Sequence, residues 1–125
     1  MNRMIIAVIM LFIVIGSAIG ESYYVIDVTG QTEYYLHMAL TNYHQHHTSQ
    51  TKDNLQQAKN IWNHHHAVLN SLLIHNYTDD ISEKIETSLN TLIYDKNNFP
   101  IECRNTLNAL QVIRNSMIPY VDNIL

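Results

Sequence analysis

The chain has 125 residues, with 7 Lys and Arg against 11 Asp and Glu, and its net charge of −4 argues against a nucleic-acid binder, which would normally show a basic face. Apolar residues make up 46 %, enough for one packed domain, while 3 Gly and 2 Pro are too few for a turn-rich β protein. Charged residues reach only 14 %, against roughly 25 % in typical soluble domains, and Asn, Thr and 8 His stand in their place.

Met1–Arg3 is positive, and Met4–Gly20 follows without a charge, solidly apolar as far as Ile15. This is the pattern of a targeting segment over residues 1–20. It reads either as a signal peptide cut after Ala18-Ile19-Gly20 or as an uncleaved membrane anchor through residues 4–20. As a helix the stretch spans about 26 Å, close to the roughly 30 Å hydrocarbon core of a bilayer. Tyr23 and Tyr24 add rings suited to the membrane interface, and the anchor is the preferred reading. Arg3 puts the start of the chain on the cytoplasmic side. The expectation is therefore a single-pass protein of the cell membrane, with residues 21–125 as an extracytoplasmic helical domain; secretion is the alternative. That external part keeps 6 cations and all 11 carboxylates, a net −5.

Beyond Glu21 the apolar residues recur every three or four positions, the period of an amphipathic helix. Val25, Val28, Thr32, Leu36, Ala39, Tyr43 and His47 predict a helix over 22–47, with the option of continuity with the anchor. Thr48-Ser49-Gln50-Thr51 predicts a break, with Thr51 or a neighbour capping the next helix. Leu55, Ala58, Trp62, His65 or His66, Leu69, Leu72 and Leu73 predict a helix over 52–75. Asp80-Ile81-Ser82-Glu83 has the spacing of a capping box, so a third helix is expected over 80–95, with Ile81, Ile85, Leu89, Leu92 and Ile93 inward. Asp95-Lys96-Asn97-Asn98 is a polar turn, and Pro100 fits the first turn of a fourth helix. Leu107, Leu110, Ile113 and Met117 form its stripe, and Ile118-Pro119 is expected to end it. Short connections favour antiparallel neighbours. The predicted fold is all-α: an N-terminal apolar anchor or signal helix, then a small antiparallel helical-hairpin bundle of about four helices.

Ala58 and Trp62, Leu72-Leu73-Ile74 before His75, and the closing Asn123-Ile124-Leu125 form a layout along most of the chain. It resembles a family of short single-pass bacterial proteins of unknown function, found mainly in spore-forming Gram-positive bacteria. The chain departs from that pattern after His75, where Asn76 and Tyr77 replace an acidic residue, and in its Asn-, Thr- and His-rich surface. The resemblance implies no reaction. It suits an accessory subunit of another membrane protein, with Trp62, His75 and Leu125 as core or interaction anchors.

The histidines are the one unusual chemistry. Neutral imidazole is a good ligand for zinc, nickel or copper. As helical neighbours three apart, His44 and His47 would share a face. A hairpin centred near residue 50 would set His37 opposite His64, with His65 or His66 beside them. Orienting carboxylates are sparse, so a solvated polar face is the expected role and no metal or other cofactor is expected. His37, His44, His47, His64 and His65 are the candidates for a His-rich metal-binding alternative. Catalysis finds no motif: there is no phosphate loop, no nucleophile elbow and no His-Glu-x-x-His. Cys103 is the only cysteine and reads as a buried, inert thiol. The function expected is non-enzymatic: binding a membrane-protein partner, with no nucleic acid.

Overall fold

A long apolar segment followed by one-sided stripes can fold as two helices or as one, and here it folds as one. The computed structural model describes the backbone of residues 2–73 and 75–124 and the side chains of residues 2–73 and 77–117. Among the described residues five helices follow one another: α1 Asn2–His44, α2 Thr48–His64, α3 His66–Leu72, α4 His75–Tyr94 and α5 Phe99–Ile124. A 3₁₀ turn, Lys96–Asn98, leads into α5, and no strand occurs among the described residues.

α1 has 43 residues, which at 1.5 Å each makes about 65 Å of unbroken helix. No proline falls in it and no glycine takes a positive φ. Residues 2–17 are exposed all round, and the most apolar window of the helix is 0 % buried. From Ser22 onward burial becomes one-sided, through Val25, Val28, Thr29, Thr32, Glu33, Leu36, Ala39 and Leu40. One helix thus changes from a rod apolar on every side to an amphipathic bundle member within a turn or so, because the sequence pattern changes there.

α1 packs against α2 and α5, and α4 closes the ring by packing against both of those. Along α1 and α5, the Tyr43 ring lies 5.0 Å from that of Phe99, the Cys103 thiol donates to the Leu36 carbonyl at 3.6 Å, and Arg114 pairs with Glu33. Between α2 and α4, Trp62 Nε1 donates to the Thr78 carbonyl at 3.1 Å and Lys59 pairs with Glu86. Between α4 and α5, Ser88 and Thr106 share a buried hydroxyl contact at 3.2 Å.

The core mixes aliphatic side chains with small hydroxyls. Thr29, Thr32, Thr51, Ser88 and Thr106 each donate to the carbonyl four residues back, at 2.8–3.0 Å. A hydroxyl satisfied by its own helix leaves no donor stranded and keeps the side chain short. Trp62 is fully buried, with the indole N–H satisfied across the ring of helices. Such a residue holds several helices at once, since Trp has the largest apolar area together with a donor that needs a partner.

Several predicted boundaries move. The turn after α1 falls at residues 45–47, not 48–51, and His46 takes the left-handed region at φ 62°. Histidine tolerates that region better than most side chains. Thr51 is therefore no cap but a buried core residue whose hydroxyl bonds back to His47. The predicted helix 52–75 is interrupted at His65, although backbone bonds continue from His65 to Ile61 and from Leu69 to His65, and it ends at Leu72, since Leu73 is extended. α4 begins at His75, so Asp80 and Glu83 form no capping box; Thr78 must be helical to lie under Trp62. Ile93 stays half-exposed. α5 continues through Pro119 to Ile124, because a proline removes one helical bond and bends a helix without always ending it.

His46 yields a test of the turn. His46→Gly is expected to hold or raise stability by up to about 1 kcal/mol, and His46→Val to lower it by about 1–2 kcal/mol. Chemical denaturation of the detergent-solubilised protein, followed by Trp62 fluorescence, measures both.

Candidate functional site

The turn at 45–47 places the hairpin centre near residue 46. Tyr24 consequently meets His65, its hydroxyl 2.5 Å from Nδ1, with the rings edge to face at 5.5 Å. His37 does not stand opposite His64; it faces α5 instead. His44 and His47 no longer share a helix face, because the turn lies between them. His44 leans edge-on to Tyr43, and the exposed His47 sits at the head of α2. His64 stacks edge-on against His65, and His66 reaches Asp79 at 3.1 Å. Among the described residues, no three His, Cys, Asp or Glu side chains are grouped to hold one metal ion.

A polar cleft of about 520 Å³ opens between α1 and α5. Glu33 and His37 contribute from α1, and Arg104, Asn108, Gln111 and Arg114 from α5, over a floor of Leu40 and Leu107. Glu33 belongs to the buried face of α1 and keeps only 7 % of its surface exposed. Its Oε2 accepts from Arg114 Nη1 at 2.9 Å. Its Oε1 has no hydrogen-bond partner among the described residues. Burial pushes the Glu33 carboxyl above its ordinary value, and the charges of Arg114 and His37 only partly oppose that. Two of the three arginines of a net-negative chain meet at this cleft.

A second feature lies at the base of the bundle, beside the apolar half of α1. Leu73, Tyr77, Val112, Ile113, Ser116 and Met117 line an apolar groove of about 260 Å³. Ser116 and Met117 also border a hollow with Ala18, Glu21, Ser22 and Val25, which fixes this groove next to the end of the apolar segment. Val112 is 61 % exposed and Tyr77 46 % exposed.

Trp62 is a core residue and not part of either surface. Leu125 and the side chain of His75, predicted as interaction residues, lie outside the described residues. Cys103 is buried, and desolvation raises its thiol to about 12, so no thiolate forms near neutral pH. No family model, curated protein or solved structure matches the chain. The resemblance drawn from Ala58, Trp62, Leu72-Leu73-Ile74, His75 and the final residues gains no support from these comparisons.

The cleft was absent from the sequence-based candidates, His37 excepted. One signal was present: Glu33 sits four residues after Thr29 and three before Leu36, on the apolar stripe where a carboxylate is out of place. Its partner Arg114 lies 81 positions away, and no local pattern joins the two.

The raised Glu33 value has a stability consequence. Between its ordinary value of 4.5 and its folded value, the folded chain holds a proton that the unfolded chain has released. Stability from this group is therefore highest at and below pH 4.5 and falls as pH rises through the folded value. Melting curves of wild type and Glu33→Gln across this range are expected to show a falling wild-type-minus-variant difference. A flat difference would contradict the assignment.

Proposed function

We propose that the protein is a non-enzymatic, membrane-anchored helical protein, in which an antiparallel bundle stands on the outer face of the cell membrane and contacts a membrane-protein neighbour. The observation that carries the reading is the continuity of α1 from its exposed apolar half into the core of the bundle. A segment made to be discarded has no need to be helically continuous with a core helix. The hollow formed by Ala18, Glu21 and Ser22 with Ser116 and Met117 makes the end of the segment part of the packed structure. Ser22 Oγ also donates back to the Ala18 carbonyl at 3.1 Å, across the proposed cleavage site.

The basal groove supports the second half of the reading. Its apolar side chains lie where a membrane neighbour would be met, beside the anchor. Arg3 on the cytoplasmic side sets the sidedness by the excess of positive charge retained there. A His-rich metal-binding role is not preferred, since the five candidate histidines His37, His44, His47, His64 and His65 are dispersed over the turn after α1, the junction of α2 and α3, and the cleft.

One preparation tests both halves. Membranes washed with alkaline carbonate should retain the chain, and its intact mass should include residues 1–20; a mass lacking them removes the anchor. In the same membranes, a photo-reactive side chain at Val112 should crosslink to one membrane protein. The same group at exposed Tyr94, at the far end of α4, should not. Equal labelling from both positions, or none from Val112, contradicts the partner surface.

A further inference from the structure

The turn after α1 and the 3₁₀ turn before α5 meet at one end of the bundle, away from the apolar half of α1. Between them lies a cavity of about 340 Å³, lined by Tyr43, His44, His46, Thr48, Lys96 and Asn97. Its walls are tied together. The Tyr43 hydroxyl donates to the Lys96 carbonyl at 2.6 Å, and the Tyr43 ring lies against that of Phe99, just past the 3₁₀ turn. His46 joins the lining from the left-handed region, a conformation that costs a residue with a Cβ some energy.

The lining is one-sided in its chemistry. Lys96 brings an ammonium with three N–H donors, Asn97 an amide, Thr48 a hydroxyl, and each imidazole donates from one nitrogen even when neutral. No carboxylate lines the cavity, although Asp and Glu outnumber Lys and Arg 11 to 7 in the chain. The nearest in sequence, Asp95, accepts from the side chain of Asn98, and Lys96 makes no ion pair among the described residues. The backbone adds to the surplus. At the end of α1 the carbonyls of Thr41, Asn42 and Tyr43 already accept from Gln45, His47 and His46. Thr48 opens α2, and Thr51 is the first residue there whose amide bonds back to a carbonyl. That helix start has no side-chain cap and no acidic residue in its first turn, and Thr48, Ser49 and Gln50 are exposed. Donors and positive charge therefore meet in one accessible cavity with no acceptor of the chain to answer them.

We infer that this cavity binds a tetrahedral oxyanion, the phosphate or sulfate group of a soluble ligand. Donors arrive from two separate turns, so they suit an anion that presents oxygens in several directions. A carboxylate presents two oxygens in one plane and is matched better by the planar fork of an arginine, whereas Lys96 acts as a point charge. A metal cation fits poorly, since it meets the Lys96 ammonium in the same space. The volume also leaves room for part of the molecule that carries the anion, being within the roughly 300–1,000 Å³ of small-molecule sites. A lipid headgroup offers the same chemistry, but along α1 the 24 residues from Gly20 to His44 span about 36 Å, beyond the reach of the bilayer that residues 4–20 would occupy. The choice of a soluble ligand over a lipid rests on that membrane reading; the anion site itself does not.

The test uses the full-length protein in phosphatidylcholine nanodiscs, titrated with inorganic phosphate at constant pH and ionic strength and followed by nuclear magnetic resonance. Phosphate is expected to shift the ring signals of His44 and His46 and the amides of Thr48, Ser49 and Gln50 along one saturation curve, while the rings of His64 and His65 stay in place. Acetate is expected to bind at least about tenfold more weakly, and Lys96→Gln to weaken phosphate about tenfold. Lys84→Gln, which removes a cation paired with Asp80 on α4, is expected to leave the curve unchanged. Adding phosphatidylglycerol to the nanodiscs is expected to leave it unchanged as well. The anion site is overturned if phosphate gives no saturation, if acetate matches it, or if Lys96→Gln binds as the wild type does. Shifts of these same signals by phosphatidylglycerol alone would overturn the soluble source and with it the membrane reading, while leaving the phosphate curve to stand on its own.

Discussion

The backbone hydrogen bonds of α1, running without a break from the apolar segment into the bundle, are the constraint on which the rest depends. A helix is stiff over its length because each residue adds a bond to a ladder already formed. Motion or tilt of the apolar half is therefore transmitted to the residues that hold the core: Val25, Val28, Leu36 and Ala39. Had a loop separated the two halves, the bundle would have been tethered and free to turn. With one helix, the orientation of the basal groove and of the Glu33 cleft is set by the orientation of the apolar half of α1. The two surfaces then stand at fixed levels along the same rod, the groove at its foot and the cleft about three turns higher.

Around that rod the remaining helices are held by one large anchor and several small contacts. Trp62 joins α2 to α4 through its indole N–H as well as its bulk. Thr29, Thr32, Ser88 and Thr106, bonded to their own helices, let the backbones approach with their hydroxyls paired, whereas the buried Thr78 hydroxyl has no partner among the described residues. Glu33 breaks this pattern, since a carboxylate on the core face is satisfied at one oxygen only. Buried polar groups are nearly always paired, so an unmet one is where a structure departs from packing alone. Glu33 shares that standing with Asn54, Asn70 and Thr78, each of which keeps a buried side-chain atom unpaired among the described residues.

Much of the helical core was legible as periodicity. Val25, Val28, Leu36 and Ala39, Leu55, Ala58, Trp62 and Leu69, Ile81, Ile85, Leu89 and Leu92, and Leu107, Leu110 and Ile113 are all buried as their spacing predicts. Boundaries were less legible, because they rest on single residues. Thr48-Ser49-Gln50-Thr51 has turn composition, yet these residues serve equally well in the first turn of a helix, and His46 took the left-handed position instead. A shift of a few residues in that turn changed every cross-helix pairing, which is why Tyr24 and not His37 faces the histidine run. Thr78 gave no apolar signal and so hid the first turn of α4, although it carries the carbonyl that Trp62 needs. The cleft was illegible for a different reason: Arg104 and Arg114 look like solvated helix surface until α1 is packed against them.

Amide hydrogen exchange of the full-length protein in lipid nanodiscs, read across residues 14–26, tests the continuity of α1 most directly. One uninterrupted helix predicts slow exchange through Gly16, Gly20 and Glu21 into Val25, with no fast window, while the amides of the turn at 45–47 exchange rapidly. Rapid exchange over residues 18–22, as fast as in that turn, would show that the apolar half of α1 and the bundle are joined by a hinge and would contradict the account.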